Sequence, residues 1–109
     1  MLPAAVAAIV FSGMVGVIIL IVRADQKPHS VYLKWNPAAP GAGAAVAGYN
    51  IYRSIRSGGP YEKIASGVIS PNYTDRDVSN NKTYYYVVRT VDAAGRESPP
   101  SNQASARIP

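Results

Sequence analysis

From residue 2 to residue 22 the chain passes through twenty-one positions without an Asp, Glu, Lys, Arg, His, Asn or Gln. No other feature limits the fold so strongly. At about 1.5 Å per residue, a helix of that length reaches roughly 30 Å, the hydrocarbon thickness of a bilayer. The run predicts a transmembrane-type helix, with its polar flank, over residues 1–26, and Pro28 stops any continuation. A buried core helix usually ends sooner and keeps one polar face. A cleavable signal peptide is the other alternative, with small residues around residues 22–24; it calls for a basic start and a shorter apolar centre than this one. Ala4, Ala8, Ser12 and Gly16 recur every four residues, widened by Gly13. On a helix they form a small-residue stripe that lets another backbone approach closely. The partners expected through it are other membrane or filament subunits, with lipid against the bulky residues 17–22.

From residue 27 to residue 109 the hydrophobic period changes to two. Val31, Leu33 and Trp35 alternate with Tyr32 and Lys34, which reads as a half-buried strand. Residues 37–47, rich in Ala, Gly and Pro, read as a loop. Tyr49 and Ile51 alternate again, and Ser57-Gly58-Gly59-Pro60 supplies a turn before Tyr61 and Ile64. A brief strand at Tyr73-Thr74-Asp75 precedes the longest one, residues 83–91. There Tyr84, Tyr86, Val88 and Thr90 would face inward, leaving Tyr85, Val87, Arg89 and Val91 outside. Gly95 suits a hairpin by accepting positive φ, and residues 101–107 make the last strand. About six strands in eighty residues predict an all-β antiparallel sandwich behind the helix. Its core is Val31, Leu33, Trp35, Tyr49, Ile51, Tyr84, Tyr86 and Val88, and the outward Tyr32, Tyr85 and Val87 are a possible interface.

Val31-x-Leu33-x-Trp35, Gly48-Tyr49-x-Ile51-Tyr52-Arg53, Tyr73-Thr74-Asp75 and Tyr84-x-Tyr86-x-Val88-x-x-Val91-Asp92-x-x-Gly95-x-x-Ser98 together resemble a fibronectin type III domain. The resemblance covers about residues 28–108. It implies that Trp35 packs the core, that Tyr84 makes the corner hydrogen bond of such sandwiches, and that the domain binds or spaces without catalysing. The family's first strand is absent or vestigial here, since only Lys27-Pro28-His29 separates the apolar run from the strand at Val31. That would leave an open edge inviting another strand.

The side-chain inventory narrows the chemistry. Without cysteine and with a single histidine, His29, the chain supplies no thiolate zinc site, no disulfide and no Cys nucleophile. His29 reads as a polar residue beside the helix. Asp75 and Asp77 offer too few oxygens for a cation and read as turn caps, while Glu62 and Asp92 lack the cleft that an acid–base pair needs. No cofactor and no metal are expected, and no enzymatic activity. The formal charge of +5 comes from scattered basic residues without a run, so no nucleic acid is expected. Asn72-Tyr73-Thr74 and Asn81-Lys82-Thr83 fit a glycosylation pattern that short sequences reach by chance.

Three functional readings follow. The first is a non-catalytic, single-pass assembly subunit, its helix packed in a larger membrane complex and its sandwich making protein contacts. Arg23 and Lys27 after the span weakly favour a cytoplasmic sandwich, offset by Asp25, whereas the domain resemblance favours an extracytoplasmic one. The second is a self-associating filament subunit, because the layout is similar to type IV pilin-like proteins. Ala5 stands where bacterial pilins carry a glutamate, and the helix is only one span long. The third is a membrane-anchored adhesion or carbohydrate-binding module.

Overall fold

The computed structural model describes residues 6–13, 16–24, 29–36 and 46–109, the first two stretches as backbone only. The described residues form eight strands: β1 (Val6–Gly13), β2 (Gly16–Ala24), β3 (Val31–Lys34), β4 (Val46–Ser54), β5 (Glu62–Val68), β6 (Asn72–Asp75), β7 (Thr83–Asp92) and β8 (Ala104–Arg107). They make two antiparallel four-stranded sheets, ordered β1-β2-β3-β6 and β5-β4-β7-β8.

The apolar run is therefore not a helix. Val6 pairs with Arg23 and the ladder continues without a break to Gly13 opposite Gly16. Among the described residues no helix is long and apolar enough to cross a membrane. A continuous apolar run carries no periodicity that separates a buried strand from a buried helix, and length alone favours the helix. The composition holds the opposing signal, since residues 17–22 are Val, Ile, Ile, Leu, Ile and Val, mostly β-branched and stiff at χ1. The expected stripe dissolves with the helix: Ala8, Ser12 and Gly13 lie on β1 and Gly16 on β2, while Ala4 lies outside the described residues. The missing first strand is corrected as well. β2 fills the place beside β3, with Arg23 opposite Tyr32 and Ala24 opposite Val31. Most of the loop expected over residues 37–47 also lies outside the described residues.

Between the sheets lies one apolar cluster. Val31 and Leu33 from β3, Trp35 just after it, Tyr49 and Ile51 from β4, Tyr84, Tyr86 and Val88 from β7, and Ala104, Ala106 and Ile108 are all buried. The period of two along β3, β7 and β8 places these residues on one face of each strand. Trp35 meets Tyr49 edge to face at 5.3 Å. The Tyr84 hydroxyl accepts the Ser79 N–H at 2.9 Å, which ties the start of β7 to the chain ahead of it. The β7–β8 side is closed by the Ile108 N–H donating to Lys82 O and the Asn81 N–H donating to Ile108 O.

Candidate functional site

The most connected polar group in the interior is Asp75, at the end of β6 and 3% exposed. A carboxylate in that position requires partners, because desolvation penalises an unpaired charge by several kcal/mol, in round terms. It has three. The Arg53 Nη1 group of β4 donates to both carboxylate oxygens at 3.1 and 2.9 Å, the Tyr86 hydroxyl of β7 donates to Oδ2 at 2.7 Å, and the Asp77 N–H donates to Oδ1 at 3.1 Å. Arg53 also donates to the Asp77 carbonyl at 3.0 Å and lies 5.5 Å from the centre of the Tyr84 ring. Burial pushes the Tyr86 hydroxyl above its ordinary range, and the hydrogen bond to the Asp75 carboxylate adds to that. Burial pulls Arg53 down, but its hydrogen bond and charge contact with Asp75 outweigh this and leave it raised. Because β6 belongs to one sheet and β4 and β7 to the other, this node joins the two layers. Asp75 caps the turn by accepting the Asp77 N–H and pairs with Arg53, whereas the exposed Asp77 carboxylate lies 3.7 Å from Arg53 Nη2.

A second cluster covers the outer face of the β5-β4-β7-β8 sheet. Alternation along β4 and β7 brings Asn50, Tyr52, Val87 and Arg89 to this face, with Asn50 opposite Arg89 and Tyr52 opposite Val87 and Lys63. The Asn50 amide and the Tyr52 hydroxyl each donate to Glu97 Oε2 at 2.5 Å, and Lys63 Nζ lies 3.8 Å from the same oxygen. Arg89 and Lys63 stand 5.5 and 5.9 Å from the centre of the Tyr52 ring, one reaching from β7 and the other from β5. Asn50 also accepts the Gly67 N–H at 3.0 Å, which pins the irregular end of β5. The hydrogen bonds from Tyr52 and Asn50 hold the Glu97 carboxyl below its usual range, helped by Lys63 and Arg89 and opposed by burial. Partial burial and then Glu97 raise Tyr52.

Linkage gives the consequence of the Glu97 shift its sign. A carboxyl depressed in the folded state contributes stability that is present above its unfolded value and lost as pH falls. The pH dependence of the urea midpoint of Glu97→Gln is therefore expected to be flatter than that of the parent from pH 4.5 downward. Parallel curves through that window would remove Glu97 from the acid-labile groups.

The third feature is the turn between β4 and β5. Gln103, ahead of β8, holds it from across the sheet: its Oε1 accepts the Gly58 N–H at 2.6 Å and the Tyr61 hydroxyl, and its Nε2 donates to Ser57 Oγ at 3.1 Å. Gly58 and Gly59 take φ of +87° and +96°, a path that only glycine follows without strain. The turn presents Ile55, 66% exposed, beside a shallow groove lined by Arg53, Arg56, Pro60 and Glu62.

The residues singled out from sequence fall as follows. Val31, Leu33, Trp35, Tyr49, Ile51, Tyr84, Tyr86 and Val88 sit together in the interior. Tyr32 and Tyr85 are half-buried on the outer faces of opposite sheets, so the structure does not join them. Val87 is only 4% exposed and offers no apolar strip to a partner. Tyr52 stands opposite Val87 in the ladder, and Arg89, two residues on, lies 5.5 Å from the Tyr52 ring. Glu62 and Asp92 lie at opposite ends of β4, in the rows of Arg53 and Val46, too far apart to cooperate. Asp92 accepts the Ala94 and Arg96 N–H groups at 3.0 and 2.8 Å and pairs with the Arg96 side chain, capping its hairpin. His29 stands just ahead of β3. Sequence reading missed the Arg53–Asp75–Tyr86 node and the Glu97 cluster. The available signal was an Arg and a Tyr on inward positions, each of which demands an acceptor when buried.

No protein-family model matches the chain. Over 58 residues it is 53% identical to an amylopullulanase from Thermoanaerobacter thermohydrosulfuricus, a match covering 53% of this chain and 4% of that enzyme. In structure it is similar to an Fn3-like protein from Clostridium thermocellum, with a TM-score of 0.68, 34% identity, and coverage of 98% of this chain and 91% of that one. It is also similar to a β-1,2-glucanase from Parabacteroides distasonis, with a TM-score of 0.65, 29% identity, and coverage of 99% of this chain and 14% of that one. These findings correct the expected single-pass membrane localisation: the residues meant to span form a β-hairpin, and the curated relatives are amylopullulanases, with no membrane anchor shown. The likeness in layout to pilins rested on the same helix and goes with it. The sheet order, the buried Trp35, the Tyr84 corner bond and the near-full overlap with the Clostridium thermocellum domain together place this chain in the fibronectin type III-like family.

Proposed function

We propose that the chain is a non-catalytic fibronectin type III module that spaces and contacts neighbouring domains in a polysaccharide-acting enzyme of the amylopullulanase kind. The observation that carries this reading is the match at 53% identity over 58 residues to a segment amounting to 4% of such an enzyme. A segment of that size is small for the catalytic unit of so long a chain, which supports a spacing or contact role. The β-1,2-glucanase supports the same reading, since the similar domain there is likewise a small part, 14%, of the whole. Three carboxylates of the sandwich agree with it as well: Asp75, Asp92 and Glu97 are engaged in ion pairs and hydrogen bonds that hold strands and turns. Sugar stacking would need an open aromatic face, and the Tyr52 ring is flanked by Lys63 and Arg89.

The test is an exchange. The matching segment of the Thermoanaerobacter thermohydrosulfuricus amylopullulanase is replaced by this chain, and the chain alone is assayed on pullulan and amylose. The chimera is expected to keep kcat/KM on pullulan, with no reducing sugar released by the chain alone and no retardation of it in a gel containing pullulan. Hydrolysis by the chain alone overturns the non-catalytic reading. Retardation in the gel assigns the module to polysaccharide binding instead.

A further inference from the structure

The two sheets end in four edge strands, and three of them are poor templates for a further strand. β6 and β8 are four residues long. β5 begins with Glu62 and Lys63, carries two register irregularities against β4 and has Gly67 at φ +67°. Short length, charge and bulges are the ordinary guards of a sheet edge. β1 has none of them. It is eight residues, Val-Ala-Ala-Ile-Val-Phe-Ser-Gly, with no charge, no proline and an unbroken ladder to β2, its one paired side among the described residues. Its partner is little better supported, since among the described residues β2 pairs with β3 at Arg23 and Ala24 and residues 16–22 pair with β1 alone. A hairpin with two strands is marginal in water, and a third strand is what ordinarily stabilises it.

From this we infer that β1 is a self-association edge, and that two copies of the chain pair β1 to β1, antiparallel about a twofold axis, to run their sheets into one. The occupant is a second copy for two reasons. Twofold pairing sets a strand against itself, so any charge on it tends to meet its like, and β1 carries no charge at all. Main-chain hydrogen bonds then supply the contact without requiring a shape that only a foreign partner would have. This pairing is independent of whether the module belongs to a polysaccharide-acting enzyme.

Static light scattering on the full chain between micromolar and hundreds of micromolar tests it, with Trp35 emission as the check on folding, because Trp35 is the only tryptophan and lies in the core. The mass is expected to rise with concentration to twice 11.6 kDa. Ile9→Lys is expected to return it to the monomer value with unchanged emission. Amide exchange on the unmodified chain covers the case in which that variant unfolds: protection over residues 6–13 should increase with concentration. A mass of 11.6 kDa at all concentrations, or protection that ignores concentration, overturns the inference. So does a chain that remains monomeric yet floats with phosphatidylcholine vesicles.

Discussion

Asp75→Ala is expected to destabilise the sandwich by about 3–5 kcal/mol, because it strands a guanidinium and a phenol whose acceptor has gone. The Arg53 side chain is only 15% exposed and the Tyr86 hydroxyl is buried, so water does not readily replace the carboxylate at either. For a domain of this size each kcal/mol corresponds to roughly 4–8 °C in Tm, which makes the loss large in a thermal melt. A paired variant separates the worth of the ion pair from the cost of orphaning its members. Arg53→Met combined with Asp75→Leu removes both charges and is expected to recover at least about 1 kcal/mol relative to Asp75→Ala alone. Chemical denaturation followed by circular dichroism reads both numbers. A single variant within about 1 kcal/mol of the parent would mean that the node does not bind the layers together.

Trp35→Ala is expected to cost a similar amount, about 3–5 kcal/mol, for a different reason. Trp35 is 1% exposed and is one of the largest fully buried side chains, packed edge to face on Tyr49. Among the described residues its Nε1–H has no hydrogen-bond partner, so the cost of truncation is lost contact and the void that remains. That distinction is measurable. Trp35→Phe keeps much of the volume and is expected to lose far less than the alanine variant. If the two variants lose the same amount, the indole is held by something other than packing.

The contrast between these two sites shows what a sequence of this kind discloses. Trp35, Tyr49 and Tyr84 stand at alternating positions between recognisable turns, and a period of two is enough to read an antiparallel sandwich. The fibronectin type III likeness was legible from spaced motifs for the same reason, since each motif fixes an inward residue against a turn. The strands within residues 6–22 were not legible, because a run without a charged or amide side chain has no polar face, and facing is what periodicity reports. Gly13 and Gly16, which suit small contacts on a helix, stand opposite each other in the ladder between β1 and β2. The Asp75 node was hidden by distance along the chain. Its members at 53, 75 and 86 become neighbours only when two sheets face each other, and nothing local to Asp75 distinguishes an interlayer ion pair from a turn cap. Val87 shows the same limit from the other side: alternation points it outward, yet it is only 4% exposed.

The grip of Gln103 on the turn at residues 57–61 carries a lesson for anyone who would transplant that turn. Its shape is written in two places, the glycines that permit it and an amide more than forty residues downstream that enforces it. Residues 55–61 grafted alone onto another sandwich would arrive without their brace, and Ile55 and Arg56 would no longer be displayed at a fixed angle. The stretch ahead of β8 has to travel with them.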